Sequence, residues 1–558
     1  MSYLLTLHDP ARAAQHYAAG VWQADTLYSL ARRHAAESGG AFALRDGARR
    51  LKWGELVAWV DAVAADLHDA GLKSGDRVSV WLPSRMESVV VLLACSRNGY
   101  VCNPSLHQNY TVAEIMGLLS RIECKALFAQ PGYGADAGTA DVFEQATAAT
   151  QIKRVYALAP FNAPATNSPA AARAFPAAQG SAVLPGTAPT THPDKIVYLA
   201  FTSGTTGTPK GVMHSDNTLL ANGRALVADW GQDGNTVLLS LSPMSHHIGT
   251  VALEQALVTG CELVMHDPAA GVGALDWIEQ TGATYVMGVP THAIDLLQEV
   301  KRRGLRQLHG VKFFYMAGAP IPTEVARRLL SLGATPQNVY GMTENGSHQY
   351  TLPTDTVDVI TGTCGKACRG YEVRLWNPEN SDLEALPGEV GEIGGRGGVL
   401  MLGYFAHQSA TESSFNAAGW FLSGDLGRLD GGGNLQIVGR KKDLIIRGGH
   451  NIHPAHIEEY AHRHPAVRKA AAFGVADERL GEKVCLALIC HDTAPTGDEI
   501  LRHLAKEGLS KFDMPEYYAV VKAFPLTPSG KVLKRELVQW VATGHLRPEP
   551  VRYRGATA

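Results

Sequence analysis

Ten consecutive residues, Thr202-Ser-Gly-Thr-Thr-Gly-Thr-Pro-Lys-Gly211, bring together five hydroxyls, three glycines and one lysine. Glycines let backbone N–H groups approach an anion closely, hydroxyls add donors without bulk, and a lysine supplies countercharge. The composition is that of a phosphate cradle, with Thr202, Ser203, Gly204, Thr205, Thr206 and Lys210 as its contacts. It is not a Walker loop, because Pro209 precedes Lys210 and Gly211 follows it. A flexible surface turn is the bland alternative, since Gly, Ser and Thr build turns routinely. Far downstream, Lys531 ends the turn-forming run Pro525-Leu-Thr-Pro-Ser-Gly-Lys, which places a second cation on a loop tip.

The elements that must position these groups read as alternating strands and helices. Trp53, Leu56, Val60, Val63 and Leu67 have helical spacing, with Gly71 as a stop. Arg77–Leu82, Ala126–Ala129 and Arg154–Leu158 read as strands, and Met86–Ser96 as a buried helix. An apolar run, 195–201, leads into the cradle and a helix is expected from about Asp216. Beyond it, strands are expected over 236–241, 262–265, 284–287 and 311–316, with helices between them. The Ala/Pro-rich stretch from about Pro160 to Pro193 reads as a surface loop or linker. From Tyr371 shorter Gly-rich strands suggest a β-rich subdomain. After Lys442 a compact α+β unit begins, with a strand expected over 518–524. The fold class is therefore α/β, with a large N-terminal domain over 1–441 and a small C-terminal one over 442–558.

Composition excludes several functions. At 558 residues the chain is long for one core, and its net charge of −3 gives no drive toward nucleic acid or an anionic membrane. Its eight cysteines are scattered, and Cys364 and Cys368 have no second pair at zinc spacing, so buried or incidental thiols in a reducing compartment are expected. No basic-then-apolar leader opens the sequence and no apolar run reaches membrane-spanning length. A cytoplasmic protein is the expectation.

Five separated motifs, in order along the chain, resemble those of the adenylate-forming superfamily of acyl-CoA synthetases, adenylation domains and luciferases. They are the cradle; Tyr340-Gly-Met-Thr-Glu344, preceded by Met316-Ala-Gly-Ala-Pro320; Gly419-Trp-Phe-Leu-Ser-Gly-Asp425; Gly439-Arg-Lys-Lys-Asp-Leu-Ile445; and the run ending at Lys531. The resemblance implies a mobile C-terminal domain and an enzyme that joins a carboxylate to the α-phosphate of ATP, releasing pyrophosphate, and then passes the acyl group to coenzyme A.

It also implies roles. Ser203, Thr205, Thr206 and Lys210 hold the β- and γ-phosphates; Thr343 bonds a phosphate oxygen; Glu344 holds Mg²⁺, a hard cation suited to oxygen ligands. Gly318, Ala319 and Pro320 line the adenine, Tyr340 stacks on it, and Gly341 and Met342 lie beside it. Asp425 accepts both ribose hydroxyls with Arg440 in support, and Lys531 reaches the carboxylate and the α-phosphate. Lys442 is the hinge for domain rotation, where many relatives carry Asp. Arg447, Gly448 and Gly449, with His450 and Asn451, line the pantetheine path.

For the acid, Pro243-Met-Ser-His-His-Ile-Gly249 matches the family's Pro-x-x-His-x-x-Gly, making His246 the gate beside the reacting carboxylate. Amino-acid-activating relatives place Asp next, to pair with the α-ammonium; here His247 stands there, and the nearest carboxylate is Glu254, two helical turns on. An unpaired buried ammonium is costly, which argues against an amino acid. Val251, Met287, Gly288, Val289, Pro290, Met316, Ala317, Gly341, Met342 and His348 complete a mostly apolar pocket for an aromatic, alicyclic or medium-chain acid. The run 445–454 is similar to bacterial ligases for aromatic and alicyclic acids such as cyclohexanecarboxylate–CoA ligase. Two rival readings stay open: loading of a separate carrier protein, and a non-catalytic module that binds AMP or acyl-AMP. A monomer or homodimer is expected.

Overall fold

The computed structural model describes residues 5–161, 172–177, 188–202, 209–268, 271–319, 321–491, 493–527 and 532–553. The chain divides into two compact units, Met1–Val373 with Gly395–Phe415, and Arg374–Gly394 with Asn416–Ala558.

The first unit is built on two large sheets. One runs in spatial order Arg173–Ala174, Arg154–Ala157, Ala126–Ala129, Arg77–Trp81, Val101–Asn103, Ile196–Thr202 and Lys210–Ser215. Its strands are parallel except for the last two, which form an antiparallel hairpin. All five residues of Arg77–Trp81 are buried, as a strand with helices on both faces requires. The second sheet has nine strands, parallel through its centre and closed at the edges by antiparallel ones.

Helices follow from the expected spacing. Trp53–Asp69 buries Trp53, Leu56, Val60, Val63 and Leu67, each worth about 1.5–3 kcal/mol relative to exposure. Its start is fixed by the Glu55 carboxylate, which accepts the Lys52 N–H at 2.8 Å. Asp216–Trp230 is capped by Ser215, and His247–Thr259 ends at Gly260, whose φ of 76° needs no Cβ. These two helices touch at Gly223, where a Cβ would lie 2.7 Å from Cβ of Glu254.

The second unit carries most of a four-stranded sheet, ordered Tyr371–Trp376, Gly391–Gly397, Phe421–Leu429 and Leu435–Arg440. It also contains a six-stranded sheet centred on Gly481–Cys490. One apolar layer of that sheet gathers Ile445, Ile457, Leu486 and Leu504, and another gathers Phe473, Cys485 and Leu537. Two local expectations change. The strand expected over 518–524 is Tyr517–Val520, where Val520 is already exposed and is the last residue in register with Gly481–Cys490. Helix Lys534–Ala542, not anticipated from sequence, buries Leu537 alone among its nine residues. All eight cysteines are free thiols. Among the described residues no helix is long and apolar enough to cross a membrane.

Candidate functional site

The cradle's two ends are the closing pair of the hairpin, with Thr202 opposite Lys210. Ser203, Gly204, Thr205 and Thr206 lie outside the described residues, as do Pro320 and Lys531. Lys210 places its ammonium 4.6 Å from the ring centroid of Tyr404, and the Tyr404 hydroxyl donates to Glu344 Oε1 at 2.9 Å. Lysine, phenol and carboxylate thus form one chain linking the first two motifs. Tyr404 is held by a bridge to Val212 on the hairpin, and burial together with the Glu344 charge pushes its hydroxyl pKa far up. Sequence reading missed Tyr404, which belongs to none of the five motifs.

Tyr340-Gly-Met-Thr-Glu344 closes strand Thr335–Met342 and turns into strand Gly346–Tyr350. The turn is tied by Asn345, whose Oδ1 accepts the Met342 N–H at 3.1 Å. Gly341 is obligatory, since a Cβ there would meet Gly346 O at 1.9 Å. The Glu344 carbonyl accepts the Met401 N–H at 2.7 Å, and the Thr343 carbonyl accepts from His214 Nε2 at 2.6 Å. A carbonyl can only accept, so Nε2 carries the proton and Nδ1 faces Thr218 Oγ1 at 3.0 Å. Burial lowers the His214 pKa to about 4, which keeps that tautomer neutral. His214 is a second residue the motifs did not flag.

Gly318 adopts φ of 87° at the end of strand Phe313–Met316, and Ala319 beside it is exposed. Tyr340 meets His348 edge-on, with centroids 5.4 Å apart. His348 is buried against Tyr371 as well, its Nδ1 has no partner among the described residues, and burial lowers its pKa to about 3.

On the acyl side, His246 caps helix His247–Thr259 through Nδ1, which accepts the Ile248 N–H at 3.2 Å. Its ring lies 6.4 Å from that of His107, whose pKa burial lowers to about 4. His247 is partly buried: Nδ1 pairs with the Tyr198 hydroxyl at 3.2 Å, and the ring stacks on His214 at 5.7 Å. Burial first, then the neighbouring His214 and His246, holds its pKa well down. Val251, Met287 and Ala317 share one apolar cluster, with Val289 packed against it. Gly288 is joined to that group by its carbonyl, which accepts the Ala317 N–H. Pro290 opens the helix that follows. Met316 departs from the expected pocket. Strand alternation turns it to the opposite sheet face, among Leu239, Val286 and Phe314.

In the second unit, Asp425 and Arg440 are directly opposed across strands Phe421–Leu429 and Leu435–Arg440. Arg440 Nε donates to Asp425 Oδ1 at 3.0 Å. Buried Glu392, also unflagged by sequence, accepts the Gly424 N–H at 3.2 Å and Lys441 Nζ at 2.7 Å. Lys442 is exposed within the one-turn 3₁₀ helix Lys441–Asp443. Gly448 and Gly449, with φ of 58° and 84°, form the two-residue turn of hairpin Ile445–Arg447/His450–Ile452. That turn demands glycine whatever else approaches it. Arg447 pairs with Glu516, and His450 with Asp513.

Among the described residues no group of three or more His, Cys, Asp or Glu could hold a metal. Glu344, nearly buried and oriented by Tyr404, fits the other way of holding Mg²⁺, by one carboxylate plus substrate phosphates and water.

The sheets, the cradle hairpin and the oriented carboxylate define a nucleotide-handling α/β protein, and comparison with known proteins agrees. The AMP-binding enzyme family model matches residues 31–405, and the AMP-binding enzyme C-terminal domain model matches 456–531. A medium-chain fatty-acid–CoA ligase of Escherichia coli (strain K12) is 31% identical, over 83% of this chain and 81% of its own. A 2-hydroxy-7-methoxy-5-methyl-1-naphthoate–CoA ligase of Streptomyces carzinostaticus is also 31% identical, over 94% of this chain and 95% of its own. Among solved structures, ATP-bound MatB from Rhodopseudomonas palustris superposes with a TM-score of 0.80 at 28% identity, covering 93% of this chain and 99% of that one. The chain belongs to the AMP-binding enzyme family.

Proposed function

We propose that this family member is an ATP-dependent acid–CoA ligase for a hydrophobic carboxylic acid, aromatic, alicyclic or medium-chain. In the first step a carboxylate oxygen attacks the α-phosphorus of ATP, the bond to pyrophosphate breaks, and acyl-AMP forms. In the second, the CoA sulfur attacks the acyl carbon and AMP leaves. The observation that carries the reading is the chain Lys210–Tyr404–Glu344, a cation and a carboxylate oriented together from two motifs. Family membership and ligase relatives acting on medium-chain and naphthoic acids support it.

The residue roles form part of the proposal. Lys210 and the cradle hydroxyls neutralise the departing pyrophosphate, and Glu344, with Thr343 beside it, holds Mg²⁺, which stabilises phosphate charge when bound. Gly318–Pro320 and Tyr340–Met342 receive the base. Asp425 takes the ribose hydroxyls, supported by Arg440, and Lys531 binds the carboxylate and α-phosphate. His246 stands at the acid's carboxylate, with His247, Val251, Gly288, Val289, Ala317 and His348 toward the acyl group. Lys442, between domains 1–441 and 442–558, is the hinge between steps, and Arg447, Gly448 and Gly449 accompany the pantetheine. A cytoplasmic monomer or homodimer completes the proposal.

One assay tests it: pyrophosphate release with a panel of acids, with and without CoA. Acid-dependent release with acyl-CoA product is expected. Release without acyl-CoA would point to a carrier protein, and no acid-dependent release would sink the reading. Lys531→Ala should nearly abolish acyl-AMP formation while leaving thioesterification of supplied acyl-AMP largely intact; unchanged pyrophosphate release would remove that role. Lys442→Pro should slow thioester formation more than adenylation, and equal loss in both would count against a hinge.

A further inference from the structure

Glu254 is 1% exposed on helix His247–Thr259, and among the described residues neither carboxyl oxygen has a hydrogen-bond partner. Buried polar groups are normally satisfied, and a buried carboxyl without a partner is among the costlier exceptions. The face it occupies is identifiable. His247, Thr250 and Glu254 recur at helical spacing, and the Tyr198 hydroxyl meets the first two at 3.2 and 3.4 Å. Glu254 lies close enough to Tyr198 and Tyr315 for its ionised form to push both phenols up, and Tyr315 OH is paired with Ser347 Oγ at 2.6 Å. These neighbours are already engaged with one another, so none relieves the carboxyl. Burial drives its pKa far upward, giving a neutral acid able both to donate and to accept.

We infer that Glu254 is a specificity-determining residue for the far end of the acyl group, pairing with a hydroxyl that the substrate carries distal to its carboxylate. The inference rests on the ligase reading and on His246 as the carboxylate end. Glu254 lies eight positions on from His246, about 12 Å along the helix axis. That span suits a medium-chain acid with a terminal hydroxyl, or a fused aromatic acid hydroxylated on its remote ring. A hydroxyl matches a neutral carboxyl in both directions, whereas an ammonium would require a second buried charge.

The test compares kcat/KM for octanoate and omega-hydroxyoctanoate, and for 2-naphthoate and its remote-ring hydroxy derivative. These are measured in wild type, Glu254→Gln and Glu254→Leu. Wild type should favour a hydroxy acid by about tenfold or more. Glu254→Leu should erase or invert that ratio by losing the hydroxy acid while keeping the plain one, and its Tm should rise by a few degrees. Glu254→Gln, which also donates and accepts, should retain a hydroxy preference and decides the matter if the Leu variant misfolds. A ratio common to wild type and both variants, or a wild-type preference for the plain acids, overturns the inference and leaves the ligase intact. No acid-dependent pyrophosphate release from any acid overturns the ligase reading and this inference with it.

Discussion

Two corners of the molecule carry the nucleotide motifs, and they are held in different ways. Around Glu344 the positioning bonds are inside the protein: His214 to the Thr343 carbonyl, Met401 to the Glu344 carbonyl, Tyr404 to Oε1. Around Asp425 the positioning is by ion pairs that reach solvent, with the side chains of Arg440 and Lys441 exposed by 42% and 38%. Exposed pairs contribute about 0–1 kcal/mol, whereas buried hydrogen bonds to charged groups contribute about 1.5–3. The first corner is therefore preorganised, and the second can exchange partners at small cost. That difference suits a site where phosphate charge must be met without rearrangement and, separately, a segment that runs into the proposed hinge at Lys442.

The largest expected effect falls on the preorganised corner. Glu344→Gln should reduce acid-dependent pyrophosphate release about 10³-fold, with little change in Tm. An unaffected rate would leave the buried corner without a catalytic purpose. Asp425→Ala should raise KM for ATP about 10- to 100-fold while changing kcat less, as loss of uniform binding does. If kcat falls instead and KM holds, the two corners do not divide labour in this way. Tyr404→Phe removes one bond to Glu344 and should cost about tenfold in adenylation, read by pyrophosphate exchange. An equal loss for Lys441→Ala, expected to change Tm by no more than about 2 °C, would erase the contrast.

Acidification sharpens the same comparison. His107 and His214 have folded pKa values near 4, below the ordinary 6.5, because burial penalises the charged ring. Below pH 6.5 the unfolded chain binds protons that the folded one refuses, so their contribution falls steadily as pH drops from 6.5 to about 4. Thermal scans of wild type should show Tm declining through that window, and His214→Gln should flatten part of the slope. A slope identical in the variant would show that His214 does not carry it.

Much of the scaffold is legible in the sequence because burial imposes a period. Trp53, Leu56, Val60, Val63 and Leu67 declare their helix, and Ala126–Ala129 is a strand with the expected bounds. Helix Lys534–Ala542 escapes because a single buried leucine makes no pattern. In the candidate site, motif residues are visible as local strings, but their supports are not. Tyr404 lies 60 residues from Glu344 and His214 lies 129 from Thr343, so only the folded chain shows that they meet. Its place in a motif assigns Met316 to the acyl pocket, whereas the sheet's two-residue period sends it to the other face. The missing signal was the phase of a strand four residues long.

The contact at Gly223 gives the acyl side a gauge. With no side chain there, one helix backbone lies against the base of Glu254, and any added carbon must push helix His247–Thr259 aside. That helix carries His246 at its cap, so a methyl group introduced at a residue outside the proposed acyl pocket would move both ends of the acyl register at once. Tolerance for longer or bulkier acids is thus adjustable from behind the wall, by changing the thickness of a spacer instead of the lining.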